Sequence, residues 1–177
     1  MVWSLINTRV TLAPVSRHHS ATIIGTKMFV FGGFAHQDNN IRVFDTETNC
    51  WLITTSAQIL PEQRYNHAAF VYNGELYIFG GATCDLRWRL NDLWKLNPKT
   101  FSWKKVEPKG KCPGWLGTMC CCMLGDRVIL FGAQLILHIL HFSPSLKTLC
   151  KLAVIQCGLD QSGLPHNIRW ELVAMTT

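Results

Sequence analysis

Hydrophobic and polar positions alternate in two different rhythms along this chain. As far as about residue 142, apolar residues come in short runs ended by turn residues: MFVF at 28–31, LYIF at 76–79 and VILF at 128–131. Runs this short, bounded by Gly, Asn and Asp, predict buried strands. Each follows another apolar segment and a two-residue turn, Gly25-Thr26, Asn73-Gly74 or Gly125-Asp126, which is the signal of a β-hairpin. Past Phe142 the period changes. Leu146, Leu149, Cys150, Ala153 and Val154 fall at i, i+3, i+4, i+7 and i+8, one face of an α-helix. Lys147, Thr148 and Lys151 take the opposite face, Ser143 or Ser145 supplies an N-cap, and Pro144 suits a first turn. A second helix is predicted after Pro165, with Ile168, Leu172 and Met175 on one side.

The strand region repeats itself. Gly32, Gly80 and Gly132 stand 48 and 52 residues apart, and Trp3, Trp51 and Trp103 keep the same step. Each unit reads as a hairpin, then a short strand (IRVFD at 41–45, DLWKLN at 92–97), a turn (TETN, PKTF) and a strand holding the Trp. Four short antiparallel strands per unit make a propeller blade. The Trp is a large apolar wedge for packing between sheets. The predicted class is therefore all-β: a partial β-propeller of about three four-stranded units, with a short α-helical tail. The units run at about 1–51, 52–103 and 104–142, and the tail at 143–177. The third unit is degenerate. Gly132-Ala133 replaces the glycine pair, the loop after its second strand shrinks to a few residues, His141 stands in place of the Asp45-like acid, and the Trp is lost. MVWSLI reads as the last strand of a preceding blade. Three units cannot close a propeller of four to eight blades, so open sheet edges are expected.

These residues carry a family resemblance. HSATIIGTKMFVFGG, HAAFVYNGELYIFGG, VFDTETNCW and KLNPKTFSW resemble kelch repeats over most of residues 3–142. Ser145, Leu146, Cys150 and Val154 resemble an elongin-binding BC box. Leu164-Pro165-His166-Asn167-Ile168, which begins 18 residues after Leu146, resembles a cullin-binding box. The resemblance implies a non-catalytic substrate receptor of a cullin-2 RING ubiquitin ligase, at work in cytoplasm and nucleus. Leu146, Cys150 and Val154 would engage elongin C and elongin B. Leu164, Pro165 and Ile168 would select the cullin. The kelch face would hold C-terminal tails of client proteins, often ending in glycine. The competing reading is a kelch scaffold, chromatin- or cytoskeleton-associated, whose tail helices merely cap the last blade. Exposure of Leu146 and Cys150 discriminates the two.

Composition narrows the remaining classes. Hydrophobic residues make up 48% and charged residues 16%, a globular balance. The 17 basic and 11 acidic residues leave a formal charge of +6, but only Lys104, Lys105, Lys109 and Lys111 cluster, in a loop, which reads as solvated rather than as a nucleic-acid stripe. No secretory leader opens the chain, and the longest apolar run, Val128–Leu140, is too short for a bilayer, so no membrane partner is expected. The eight cysteines include the run Cys120-Cys121-Cys122 and no C-x-x-C pair, so free thiols are expected rather than disulfides or a metal site.

Candidate client-binding residues precede each hairpin, in loops between strands. They are Arg64, Tyr65 and Asn66 in the second unit and Ser16, Arg17 and His18 in the first. Arg64 beside Tyr65 suits a terminal carboxylate held against an aromatic wall, and a solvated loop cation is the alternative. His19 and His67 recur at one repeat position and read as structural. No nucleophile elbow, phosphate loop or coherent metal set emerges, so neither catalysis nor a cofactor is expected.

Overall fold

A computed structural model describes residues 1–6, 8, 17–34, 41–52, 54, 59–85, 88–114, 119–132 and 137–176. Among these residues twelve strands form three antiparallel sheets. The first sheet is β1 (Ser20–Ile24), β2 (Lys27–Phe31), β3 (Arg42–Asp45) and β4 (Cys50–Leu52), in that spatial order. The second is β5 (Arg64–Tyr65), β6 (Ala68–Tyr72), β7 (Glu75–Thr83), β8 (Arg89–Asn97) and β9 (Ser102–Val106), with β5 and β6 both on β7. The third holds β10 (Met119–Leu124), β11 (Arg127–Gly132) and β12 (Leu137–His141). Two helices follow, α1 (Leu146–Gln156) and α2 (His166–Ala174).

The turns between third and fourth strands are built alike. Asp45 Oδ1 accepts from the N–H groups of Glu47 and Thr48 at 2.9 and 3.2 Å, and Asn97 Oδ1 from those of Lys99 and Thr100 at 2.9 and 3.3 Å. A short polar side chain that bonds its own backbone two residues on is a common way to start a turn. Each turn ends on a left-handed residue, Asn49 or Phe101.

Two apolar cores lie between the sheets. Phe29, Phe31, Ile41 and Val43 of the first unit pack on Leu76, Ile78, Leu96 and Trp103 of the second. Across the second sheet, Phe70, Tyr77, Phe79 and Leu93 pack on Met119, Val128 and Leu130 of the third. Trp103 is the wedge that its repeat position predicts, its ring 5.0 Å from that of Phe31. The glycines fit the same scheme. Gly32 has φ +66°, and a side chain there would start 2.4 Å from the Arg64 carbonyl oxygen and 2.8 Å from the His67 ring. At Gly80 an added Cβ would lie 2.7 Å from the Met119 side chain. The glycine of one unit thus receives the strand-start residue of the next, His67 or Met119.

Three expectations need correction. Among the described residues, Met1–Ile6 form no strand and pair with no sheet, and Trp3 is 101% exposed. The third sheet has three strands instead of four among the described residues, since β12 is followed by helices and not by a Trp-bearing strand. The shortened loop at 133–136 lies outside the described residues. Pro144 sits before the helix rather than in its first turn. Ser145 is the N-cap, its Oγ accepting from the Thr148 N–H at 3.2 Å, whereas the Ser143 hydroxyl faces Tyr72 Oη at 3.5 Å.

Candidate functional site

Helix α1 meets the rest of the molecule by its unexpected side. Thr148, Lys151, Leu152 and Ile155 are half-buried, and a methyl of Leu152 lies over Gly110. The predicted apolar stripe faces away. Leu146 is 77% exposed, Leu149 42% exposed, and Cys150, Ala153 and Cys157 are exposed too, with Val154 half-buried at the stripe's margin. Glu171 of α2 explains the choice of face: it pairs with Lys151 and, at 3.2 Å, with Lys147. Those lysines draw the polar side of α1 toward α2. The lysine at 111 adds a tie, its Nζ donating to the Thr176 carbonyl at 2.9 Å.

Helix α2 behaves oppositely. Leu172 is 1% exposed, Leu164, Ile168 and Met175 are half-buried, and Pro165, the N-cap, is exposed. Its apolar face turns inward while that of α1 turns out.

The candidate client-binding residues separate into two groups. Arg64 is 0% exposed and belongs to the interior. Its Nη1 donates to Asp92 Oδ1 at 2.6 Å and its Nη2 to Asp92 Oδ2 at 3.1 Å, a bidentate pair. It also donates to the carbonyls of Glu62 and Gly80. Burial opposes the Asp92 charge, but hydrogen bonds from Arg64 and Trp94 Nε1 outweigh it and hold the carboxyl below its usual range. Arg64 is thus neither a carboxylate clamp nor a solvated cation, because Asp92, 28 residues away in sequence, already fills its fork.

Arg17 occupies the surface. It is exposed, bridges to Phe34 as an isolated β pair, and holds its guanidinium 5.4 Å from the Phe34 ring centroid. The Tyr65 ring meets Phe34 edge-on at 5.5 Å and His18 at 6.2 Å. The loop of the first unit lies against that of the second, the Asn66 N–H donating to the His18 carbonyl at 3.2 Å. His18 and Asn66 both adopt left-handed φ, near +63° and +55°. Arg17, Phe34 and Tyr65 thus gather a cation and two aromatic walls at one sheet-to-sheet junction, which suits an anionic group. Phe34 escaped sequence reasoning, although it directly follows the first glycine pair.

His67 is buried, with Nε2 2.7 Å from Ser20 Oγ across the junction. Burial, helped by the charge of Arg64, depresses its pKa to about 3, so it is neutral at physiological pH. Nδ1 has no partner. No helix of the described residues is long and apolar enough to cross a membrane.

Residues 1–133 match the model of the KLHDC2/KLHL20/DRC7 Kelch-repeats domain. The chain belongs to the kelch-repeat family. It is 52% identical to human Kelch domain-containing protein 3 across its entire length, and equally so to the bovine protein. It spans about half of those curated relatives, 54% of their length. Human Host cell factor 2 is 30% identical over 64% of the chain, and 17% of that protein is covered. The solved structure of YjhT overlays with a TM-score of 0.53 at 17% identity, covering 74% of this chain and 53% of that one. The three sheets are accordingly a partial kelch propeller, a protein-interaction module of a family that is generally non-catalytic.

Proposed function

We propose that this chain is a substrate-recognition subunit of a cullin-2 RING ubiquitin ligase. The observation that carries the reading is the outward stripe of α1. A helix anchored by Thr148, Lys151 and Leu152 leaves Leu146 and Cys150 for a partner, in the manner of a helix laid into an apolar groove. Leu146 fills a pocket of elongin C, the small Cys150 allows close approach, and Val154 closes the margin. Leu164, Pro165 and Ile168 contribute the cullin-2 contact. Clients present C-terminal tails to the junction of the first two sheets, where Arg17, Tyr65 and Asn66 line the surface and Arg17 takes the terminal carboxylate. Ubiquitin transfer itself belongs to other subunits.

Co-purification with elongins B and C tests the docking step. Wild type is retained and the Leu146→Arg/Cys150→Arg variant is lost. Retention of the variant, or no binding by folded wild type, turns the reading to a kelch scaffold without a ligase link. That alternative draws support from α2, whose inward Ile168 and Leu172 fit a cap on the domain. Polarisation of a glycine-ended peptide tests the client step: Arg17→Ala or C-terminal amidation weakens binding, and Arg64→Lys is uninformative because that residue is structural.

A further inference from the structure

His67 is a polar residue at a place where the repeat also accepts an apolar one. The residue that starts each hairpin packs against the glycine of the preceding unit, His67 against Gly32 and Met119 against Gly80. The residue across the junction changes with it. Ser20 of β1 faces His67, whereas its repeat counterpart, Ala68 of β6, shares a core with Met119. The second junction is thus apolar where the first holds a hydrogen bond, Ser20 Oγ to His67 Nε2 at 2.7 Å. The polar version carries a penalty. His67 is 7% exposed and its Nδ1 has no partner. A buried nitrogen without a partner costs free energy that a methionine avoids. An orphaned N–H is rarer in protein interiors than an orphaned acceptor, so the proton sits on Nε2 and is donated to Ser20.

The bond gains position in return. Ser20 lies three residues after Arg17, and His67 two after Tyr65. The same two segments meet again where the Asn66 N–H donates to the His18 carbonyl at 3.2 Å. The Gly33 N–H reaches the Arg64 carbonyl at 2.9 Å, and the Phe34 N–H the Arg17 carbonyl at 2.8 Å. The Ser20–His67 bond closes this set on its buried side. On the outer side Arg17 stands 5.4 Å from the Phe34 ring, and Tyr65 meets that ring at 5.5 Å. In the second unit the counterpart of Phe34 is Ala82. The aromatic wall and the polar bond therefore occur together at the first junction and are replaced together at the second.

We propose that His67 is a positioning residue for client binding. Its bond to Ser20 fixes the loop of the first unit against that of the second, and so holds Arg17 and Tyr65 about Phe34 at the spacing a terminal carboxylate requires. This role rests on the reading of that junction as the client site. A polar group kept in the interior at a cost is what a preorganised site asks of the residues beneath it.

The second junction supplies the test. Ser20→Ala/His67→Met gives the first junction the residues of the second, a packed apolar pair, so the full chain should melt at or above the wild-type temperature. Its affinity for a glycine-ended peptide should nevertheless fall about 10-fold, the share of one charge-assisted contact moved off its geometry. Ser20→Thr keeps a hydroxyl, suits a strand and should bind as wild type does. Nuclear Overhauser contacts between the Phe34 and Tyr65 rings report the geometry without a ligand; they should persist in Ser20→Thr and weaken in the double variant. Ser20→Ala alone carries the same comparison if the double variant does not fold. A variant lacking the bond that keeps either the ring contacts or wild-type affinity would overturn the role, as would Ser20→Thr failing to restore them. A wild type that binds no peptide sinks the client reading instead, and the ring contacts alone then decide whether His67 positions the loop.

Discussion

Arg64 and Asp92 form a bidentate ion pair inside the second sheet, Nη1–Oδ1 2.6 Å and Nη2–Oδ2 3.1 Å, with the arginine wholly buried. Removing the acid alone strands the cation. Asp92→Ala should destabilise the fold by about 3–5 kcal/mol, whereas Arg64→Met with Asp92→Leu should recover much of that loss. Urea unfolding of the three variants gives the comparison; equal stability of Asp92→Ala and wild type would refute a paired interior.

The glycine at 32 supports the junction by having no side chain. Its φ is +66°, and a methyl group would sit 2.4 Å from backbone oxygen. Gly32→Ala should cost more than about 2 kcal/mol, from left-handed strain plus displacement of the Arg64 loop. Gly25→Ala makes the control, because Gly25 shares a left-handed φ but has open space around it, so it carries the strain alone. A thermal melt in which both variants fall equally would show that crowding at Gly32 is immaterial.

His67 predicts an acid-sensitive fold. Its folded pKa is about 3 against an ordinary 6.5, owing first to burial. The unfolded chain binds a proton below pH 6.5 that the folded chain refuses, so stability is intact above pH 6.5 and falls progressively toward pH 3. At about 1.4 kcal/mol per unit the total reaches several kcal/mol. His67→Gln should flatten that part of the profile in urea melts at stepped pH. An unchanged slope would mean that His67 takes up its proton without unfolding.

Leu146 separates docking from folding. At 77% exposure it adds little to the folded state, so Leu146→Arg and Cys150→Arg should each change stability by no more than about 0.5 kcal/mol. The thiol of Cys150 should react freely with a maleimide in the native protein, and Cys121, half-buried with its thiol pushed up by burial and its Sγ donating to the Ala69 carbonyl, should react slowly. A large stability loss in Leu146→Arg would place that residue in the core.

Much of the fold was legible because each repeat states its own local chemistry. Asn73-Gly74 fixes a hairpin, a polar side chain starts each third turn, and Ser145 caps α1 by bonding a backbone three residues on; all are local events. The direction in which α1 presents its stripe was not local. It follows from Glu171, which meets Lys147 and Lys151 only when two helices fold back on each other. Arg64 shows the same limit. Its neighbours Tyr65 and Asn66 suggest a loop site, and only the pairing of β7 with β8 brings Asp92 to its fork. Arg17 and Phe34 likewise meet through a single bridge across a glycine pair. The sequence by itself determined the strands, their turns, the repeat and the two helices, because those depend on near neighbours and on periodicity. Tertiary structure decided which charges are interior and which face of α1 meets solvent, because burial is a property of the neighbours that folding supplies.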